Sequence, residues 1–297
     1  MKSLPYLSAV YIVVNLFLNY NAAAQLIAEG ATLKKVASHF SFTEGPAPDK
    51  KGNVYFTDQP NDKIWKYDTD GKVSLFMHNT GRSNGLYFDK KGNIIACADS
   101  NNQLWSISKK GKVKILLDNF QNRRFNGPND LWIDAKGGIY FTDPYYQRNY
   151  WTRKKPDLEK QDVYYLPAGK NEATIVATNF VKPNGIVGTP DGKTLYVADI
   201  GDSKTYKYDV APDGSLNNRQ FFASMGSDGM TLDEKGNLYL TGKGVTVFDN
   251  TGKQIEKIEV PAGWTANICF GGKDRRTLFI TALESVYTLQ MRVKGVE

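Results

Sequence analysis

From about residue 40 onward, apolar and polar residues alternate in short runs broken by glycine turns, the period-two signature of half-buried strands. One phrase recurs: a glycine turn, an aromatic-rich strand and, in most copies, a closing aspartate. It reads G-N-V-Y-F-T-D to Asp58, G-N-I-I-A-C-A-D to Asp99, G-G-I-Y-F-T-D to Asp143 and G-K-T-L-Y-V-A-D to Asp199. G-N-L-Y-L-T-G to Gly242 and a worn T-L-F-I-T-A to Ala282 complete the set. Steps of roughly 40–45 residues match one propeller blade, and only the step from Asp143 to Asp199 is longer. Each unit contains four strand patterns separated by turn signals. The chain therefore predicts an all-β fold, a six-bladed β-propeller. A β-sandwich would not need a repeating phrase. The last unit lacks an outer strand, which the segment 32–37 supplies, so a strand near the N-terminus closes the ring and leaves no open sheet edge.

A repeat puts equivalent positions around one axis. At the start of each unit's first strand stand Glu44, Asn84, Asn129, Asn184, Asp228 and Asn267. The first strand of a blade lines the central channel, so these six oxygen-bearing side chains are expected at one mouth of it. Two carboxylates among them repel unless a cation neutralises them. A donor set of oxygens alone suits a hard divalent ion, Ca²⁺ first, with Mn²⁺, Mg²⁺ or Zn²⁺ able to substitute. The competing expectation is that Asn-Gly and Asp-Gly simply shape turns. The second strand returns to the same face. Asp58, Asp99, Asp143 and Asp199 therefore belong to the mouth face, together with the extra residues 144–160. That insertion carries Tyr145, Tyr146, Tyr150, Trp151, Arg148 and Arg153, and reads either as a lid or as a loop packed on its own aromatics.

The first 24 residues break the pattern. Lys2, an apolar stretch from Leu7 to Leu18 and small residues at Ala22 and Ala24 predict a secretory signal peptide over 1–24, with a single domain over 25–297 and a periplasmic or secreted mature protein. Cys97 and Cys269 fall in apolar strand patterns of different repeats and read as buried thiols. With two histidines, neither at a repeated polar position, a histidine-built zinc site and a Ser-His-Asp triad are excluded as leading readings. The net charge of +7 comes from lysines scattered through turns, unlike the clustered stripe of a nucleic-acid binder. No nucleic acid, and no membrane after signal cleavage, is expected as partner; the oligomeric state stays open.

The chain resembles the SMP-30/gluconolactonase (regucalcin-like) family. F-T-E-G-P (42–46), F-N-G-P-N-D-L-W-I-D (125–134), G-G-I-Y-F-T-D-P-Y-Y (137–146), K-P-N-G-I (182–186), Y-V-A-D (196–199) and S-D-G-M (227–230) carry the resemblance in order and spacing. It implies a six-bladed propeller with one divalent metal on Glu44, Asn184 and Asp228. It places Asp228 and Asn129 in the catalytic role, Asp228 as ligand and base. Asn129, Asn84, Arg124, Asp99 and Tyr145 are the expected substrate contacts, with Arg124 out of register from the family's arginine and Asp99 where some members differ. The implied activity is hydrolysis of a sugar lactone to its hydroxy acid. A non-catalytic ligand-binding propeller and a related propeller esterase acting on other lactones or esters remain as alternatives.

Overall fold

The computed structural model describes residues 26–296, so the signal peptide expected over 1–24 lies outside the described residues. Six four-stranded antiparallel sheets follow one another along the chain. Blade 1 runs from Thr43–Pro48 through Val54–Asp58 and Lys63–Tyr67 to Val73–His78. Blades 2 to 5 open on Ser83–Phe88, Leu131–Ile133, Pro183–Gly188 and Met230–Leu232, and blade 6 on Asn267–Gly271. The opening strands of successive blades pack side by side, and that of blade 6 meets that of blade 1. This is the six-bladed propeller read from the repeat.

Closure follows the expected route. Lys34–Ser38 pairs antiparallel with Ser285–Gln290 and becomes the outer strand of blade 6. Across the seam, Val54 and Phe56 of blade 1 pack on Cys269, Phe279 and Val286 of blade 6. Phe40 meets Phe56 edge-on with ring centroids 5.3 Å apart. A buried aromatic contributes about 1.5–3 kcal/mol, so apolar contact as well as strand pairing joins the two ends of the propeller. Cys97 and Cys269 are buried in separate blades, neither in a disulfide, as the repeat placed them.

Two backbone devices set the channel. The glycine after the ring residue does not make a turn. Gly45, Gly85 and Gly185 lie inside opening strands. A Cβ on Gly45 would come within 2.0 Å of the Asn84 carbonyl oxygen, and one on Gly85 within 2.6 Å of that of Asn129. The missing side chain lets neighbouring blades close on the axis. That corrects the turn reading of the Asn-Gly phrases. The second device is the threonine of the recurring phrase. Thr57 donates to the Asn84 carbonyl at 3.1 Å, and Thr142 to the Asn184 carbonyl at 2.7 Å. Each thus ties its blade to the ring residue of the next.

Candidate active site

The six ring residues all come to the channel mouth at the start of their opening strands; five are buried and Asp228 is half-buried. Glu44, Asn84, Asn129 and Asp228 line a cavity of about 310 Å³ together with Phe42, Gln59, Tyr146, Arg148, Ile200 and Trp264. The Asn184 amide donates to Asp228 Oδ1 at 2.7 Å and to the Tyr146 hydroxyl at 3.0 Å. Trp264 Nε1 donates to Asp228 Oδ2 at 2.6 Å, so both oxygens of this carboxylate are held. Glu44 Oε2 accepts from the Gly45 amide at 2.8 Å.

The electrostatics are unfavourable for a bare site. Burial, and then the charge of Asp228, push the Glu44 carboxyl well above the usual range. Burial raises Asp228 to about 6, against the hydrogen bonds from Trp264 and Asn184. A third acid in the channel, Asp130, is raised by burial to about 7, with Asp228 adding to the shift. Meanwhile the side-chain oxygens of Asn184 and Asn84 are buried with no hydrogen-bond partner. Unpaired buried oxygens beside crowded carboxylates form a pocket short of positive charge. Among the described residues, no three His, Cys, Asp or Glu side chains are arranged to hold a metal ion by themselves. Any cation here would therefore be held by two carboxylates completed by carboxamide oxygens, a set suited to a hard ion.

The strand-end aspartates split into two kinds. Asp58 Oδ1 accepts the amides of Ser41 and Phe42, at 3.0 and 3.2 Å. Asp143 takes those of Asn126 and Gly127, and Asp199 those of Val181 and Lys182, all at 2.8 Å. In these three blades the aspartate fastens the loop that leads into the ring residue. In blade 2 the equivalent Arg82 amide is already taken by Asp62 Oδ1, at 2.6 Å. Asp99 is thereby released. Its carboxylate binds Arg148 Nε at 3.0 Å and the Tyr150 hydroxyl, both from the insertion.

The insertion is packed, and it also walls the cavity. Trp151 is buried and donates to the Asp99 carbonyl at 3.1 Å, while Leu158 joins the core of blade 3. Arg153 reaches the carbonyls of Phe125 and Asn126. This placement leaves three of the expected substrate contacts off the cavity wall. Arg124 points outward, its side chain 53% exposed in an ion pair with Asp157. The physical reason is Phe125, which is fully buried and turns its predecessor to the surface. Tyr145 bonds Gln147 and stays off the cavity wall, whereas the next residue, Tyr146, lines it. Asp99 does not line the cavity either; it holds Arg148, which does. Arg148 and Trp264 went unread as site residues because neither belongs to the repeat. The available signal was that an insertion directly after Asp143 has to leave from the mouth face.

A family model described as SMP-30/Gluconolactonase/LRE-like region matches residues 42–284. The chain belongs to this family. A gluconolactonase of Zymomonas mobilis is 27% identical, covering 89% of this chain and 82% of its own length. A solved gluconolactonase from Xanthomonas campestris superposes with a TM-score of 0.85 at 27% identity, covering 92% of this chain and 93% of that one. A calcium-binding regucalcin from Agrobacterium tumefaciens shares the fold at a TM-score of 0.75 and 19% identity, covering 89% of this chain and 95% of that one. The matched span holds the E-G-P, P-N-G and D-G-M phrases that bring Glu44, Asn184 and Asp228 to a common mouth.

Proposed function

We propose that this chain is a metal-dependent lactonase that opens a sugar lactone to its hydroxy acid. The reading rests on one observation. Two carboxylates, buried Glu44 and half-buried Asp228, share the channel mouth with the Asn184 and Asn84 side-chain oxygens, which have no partner. These residues fit a divalent cation held by Glu44, Asn184 and Asp228, Ca²⁺ being the best match to an all-oxygen set. Such an ion supplies carbonyl polarisation and relief of developing negative charge. Gluconolactonases among its relatives, and a calcium-binding regucalcin of the same fold, support the reading.

The chain's own residues supply the rest. Trp264 and Asn184 hold the Asp228 carboxylate in one orientation. Asp228 takes a proton from the attacking water as that water's oxygen bonds to the acyl carbon. The ring C–O bond then breaks, and the departing ring oxygen receives the proton back as an alcohol. Asn129 and Asn84, on the cavity wall, orient the water and the sugar hydroxyls. Phe42, Ile200 and Trp264 provide the apolar part of that wall. The leader pattern over 1–24 supports export, so the reaction would run outside the cytoplasm.

Elemental analysis of the purified protein with a lactone panel tests this. The expected result is one divalent ion per chain and gluconolactone hydrolysis that chelator abolishes and added Ca²⁺ or Mn²⁺ restores. Full turnover in chelator would refute the metal's role. Sugar binding with no turnover would favour the non-catalytic propeller, and turnover confined to non-sugar esters the related esterase.

A further inference from the structure

The lactonase reading leaves the charge on the cavity rim unused. Arg148 lines the cavity and bonds Asp99 through Nε alone. Among the described residues its two terminal amino groups have no hydrogen-bond partner. Its guanidinium lies 5.4 Å from the Tyr146 ring, and the Lys182 ammonium lies 4.5 Å from the same ring. Lys182 makes no ion pair among the described residues. Tyr146 in turn bonds Asn184, so both cations are one side chain away from the proposed metal ligands. Arg82 over Tyr150 at 4.5 Å and Arg153 over Trp151 at 4.2 Å extend the positive rim along the insertion.

Resting on the lactonase reading, we infer that the lactone this site takes carries a second acidic group, bound by Arg148 with Lys182 beside it. With Glu44 and Asp228 neutralised by a divalent ion, Arg148 and Lys182 are the cations left against Tyr146, Arg148 sharing only its Nε edge with Asp99. A guanidinium presenting two free amino groups matches a carboxylate, sulfonate or phosphate far better than a sugar hydroxyl. The cavity is at the small end of ligand pockets, ~300–1,000 Å³, so an acid group at the far end of one sugar unit falls at this rim. Asp99 is then a positioning residue: it fixes the Nε edge and leaves the other edge for the ligand. Its release from loop fastening in blade 2, through Asp62, is what makes that possible.

A matched pair of substrates tests the inference. Glucaro-γ-lactone and glucono-γ-lactone share a ring and differ in a terminal carboxylate against a hydroxymethyl group. The metal-loaded enzyme should prefer the acidic lactone by about ten- to hundredfold in kcat/KM, with the preference shrinking as salt rises. Arg148→Gln should pull the ratio toward one, and Lys182→Met should lower it less. Retained preference in Arg148→Gln, or equal use of both lactones by the unmodified enzyme, would overturn it. Calorimetry with glucarate and gluconate reads the same contact without turnover. Tighter glucarate binding that Arg148→Gln removes supports the inference even if no lactone is opened, in which case only the lactonase reading fails. A phosphate-bearing and a sulfonate-bearing lactone, run beside the carboxylate, identify which acid the rim accepts best. Melting curves confirm that each variant is folded; should Arg148→Gln not fold, Arg148→Lys and Lys182→Met carry the comparison.

Discussion

Asp199 and Asp99 close the same strand in the fourth and second repeats, yet they do different work. Asp199 spends its oxygens on two backbone amides of its own blade's entry loop. Asp99 is equally buried but faces the insertion, binding Arg148 and Tyr150. The difference does not lie in either aspartate. Asp62, in a left-handed backbone position, has taken the amide that Asp99 would have served. A repeat thus specifies where a carboxylate stands, and its neighbours decide whether it fastens a loop or organises a site. The ring acids are a third case: Glu44 and Asp228 face the cavity, and Asp228 is held by the side chains of Asn184 and Trp264 rather than by the amides of an entry loop.

The sharpest break between these classes is Asp228→Ala. Turnover should fall by about 10²–10³-fold or more, while the melting temperature measured in chelator holds or rises, because one of two crowded carboxylates has been removed. Activity retained in that variant would move Asp228 into the fastening class. Asp199→Ala should do the opposite. Losing two charge-assisted bonds to backbone amides costs about 2–4 kcal/mol, visible as a lower urea midpoint, with turnover per folded molecule kept. Asp99→Asn should fall between: a rise in KM of roughly tenfold for an acidic lactone, little change in kcat, and a melting point within a few degrees. A large stability loss there would return Asp99 to the company of Asp199.

The smallest effect is in pH. Asp228 and Asp130 have folded pKa values of about 6 and about 7, above their unfolded values, through burial. The folded metal-free protein therefore binds protons more tightly than the unfolded chain. The stability these groups contribute is complete below about pH 4 and is lost as pH rises through 6 to 7. In chelator, melting should occur a few degrees lower at pH 7.5 than at pH 5, and a bound divalent ion should reverse the trend. A flat profile in chelator would mean that these acids are compensated by the protein itself.

The channel ring was legible because it belongs to the repeat. Rotational symmetry alone carries Glu44, Asn184 and Asp228 from distant positions to one mouth, and the phrase F-T-D told which strand end returns there. The insertion was legible as a position and as a composition, but not as contacts. Whether Tyr145 or Tyr146 faces the cavity depends on a single-residue alternation in a segment without regular structure. Whether Arg124 or Arg148 does depends on Phe125 burying itself and on Asp99 being free to bind a guanidinium. Period and register are local properties of the chain, so the sequence determined the blades, their number and the ring. Competition for the Arg82 amide is settled only once blades 1 and 2 are packed together, and so the tertiary structure alone decided which charges surround the ligand.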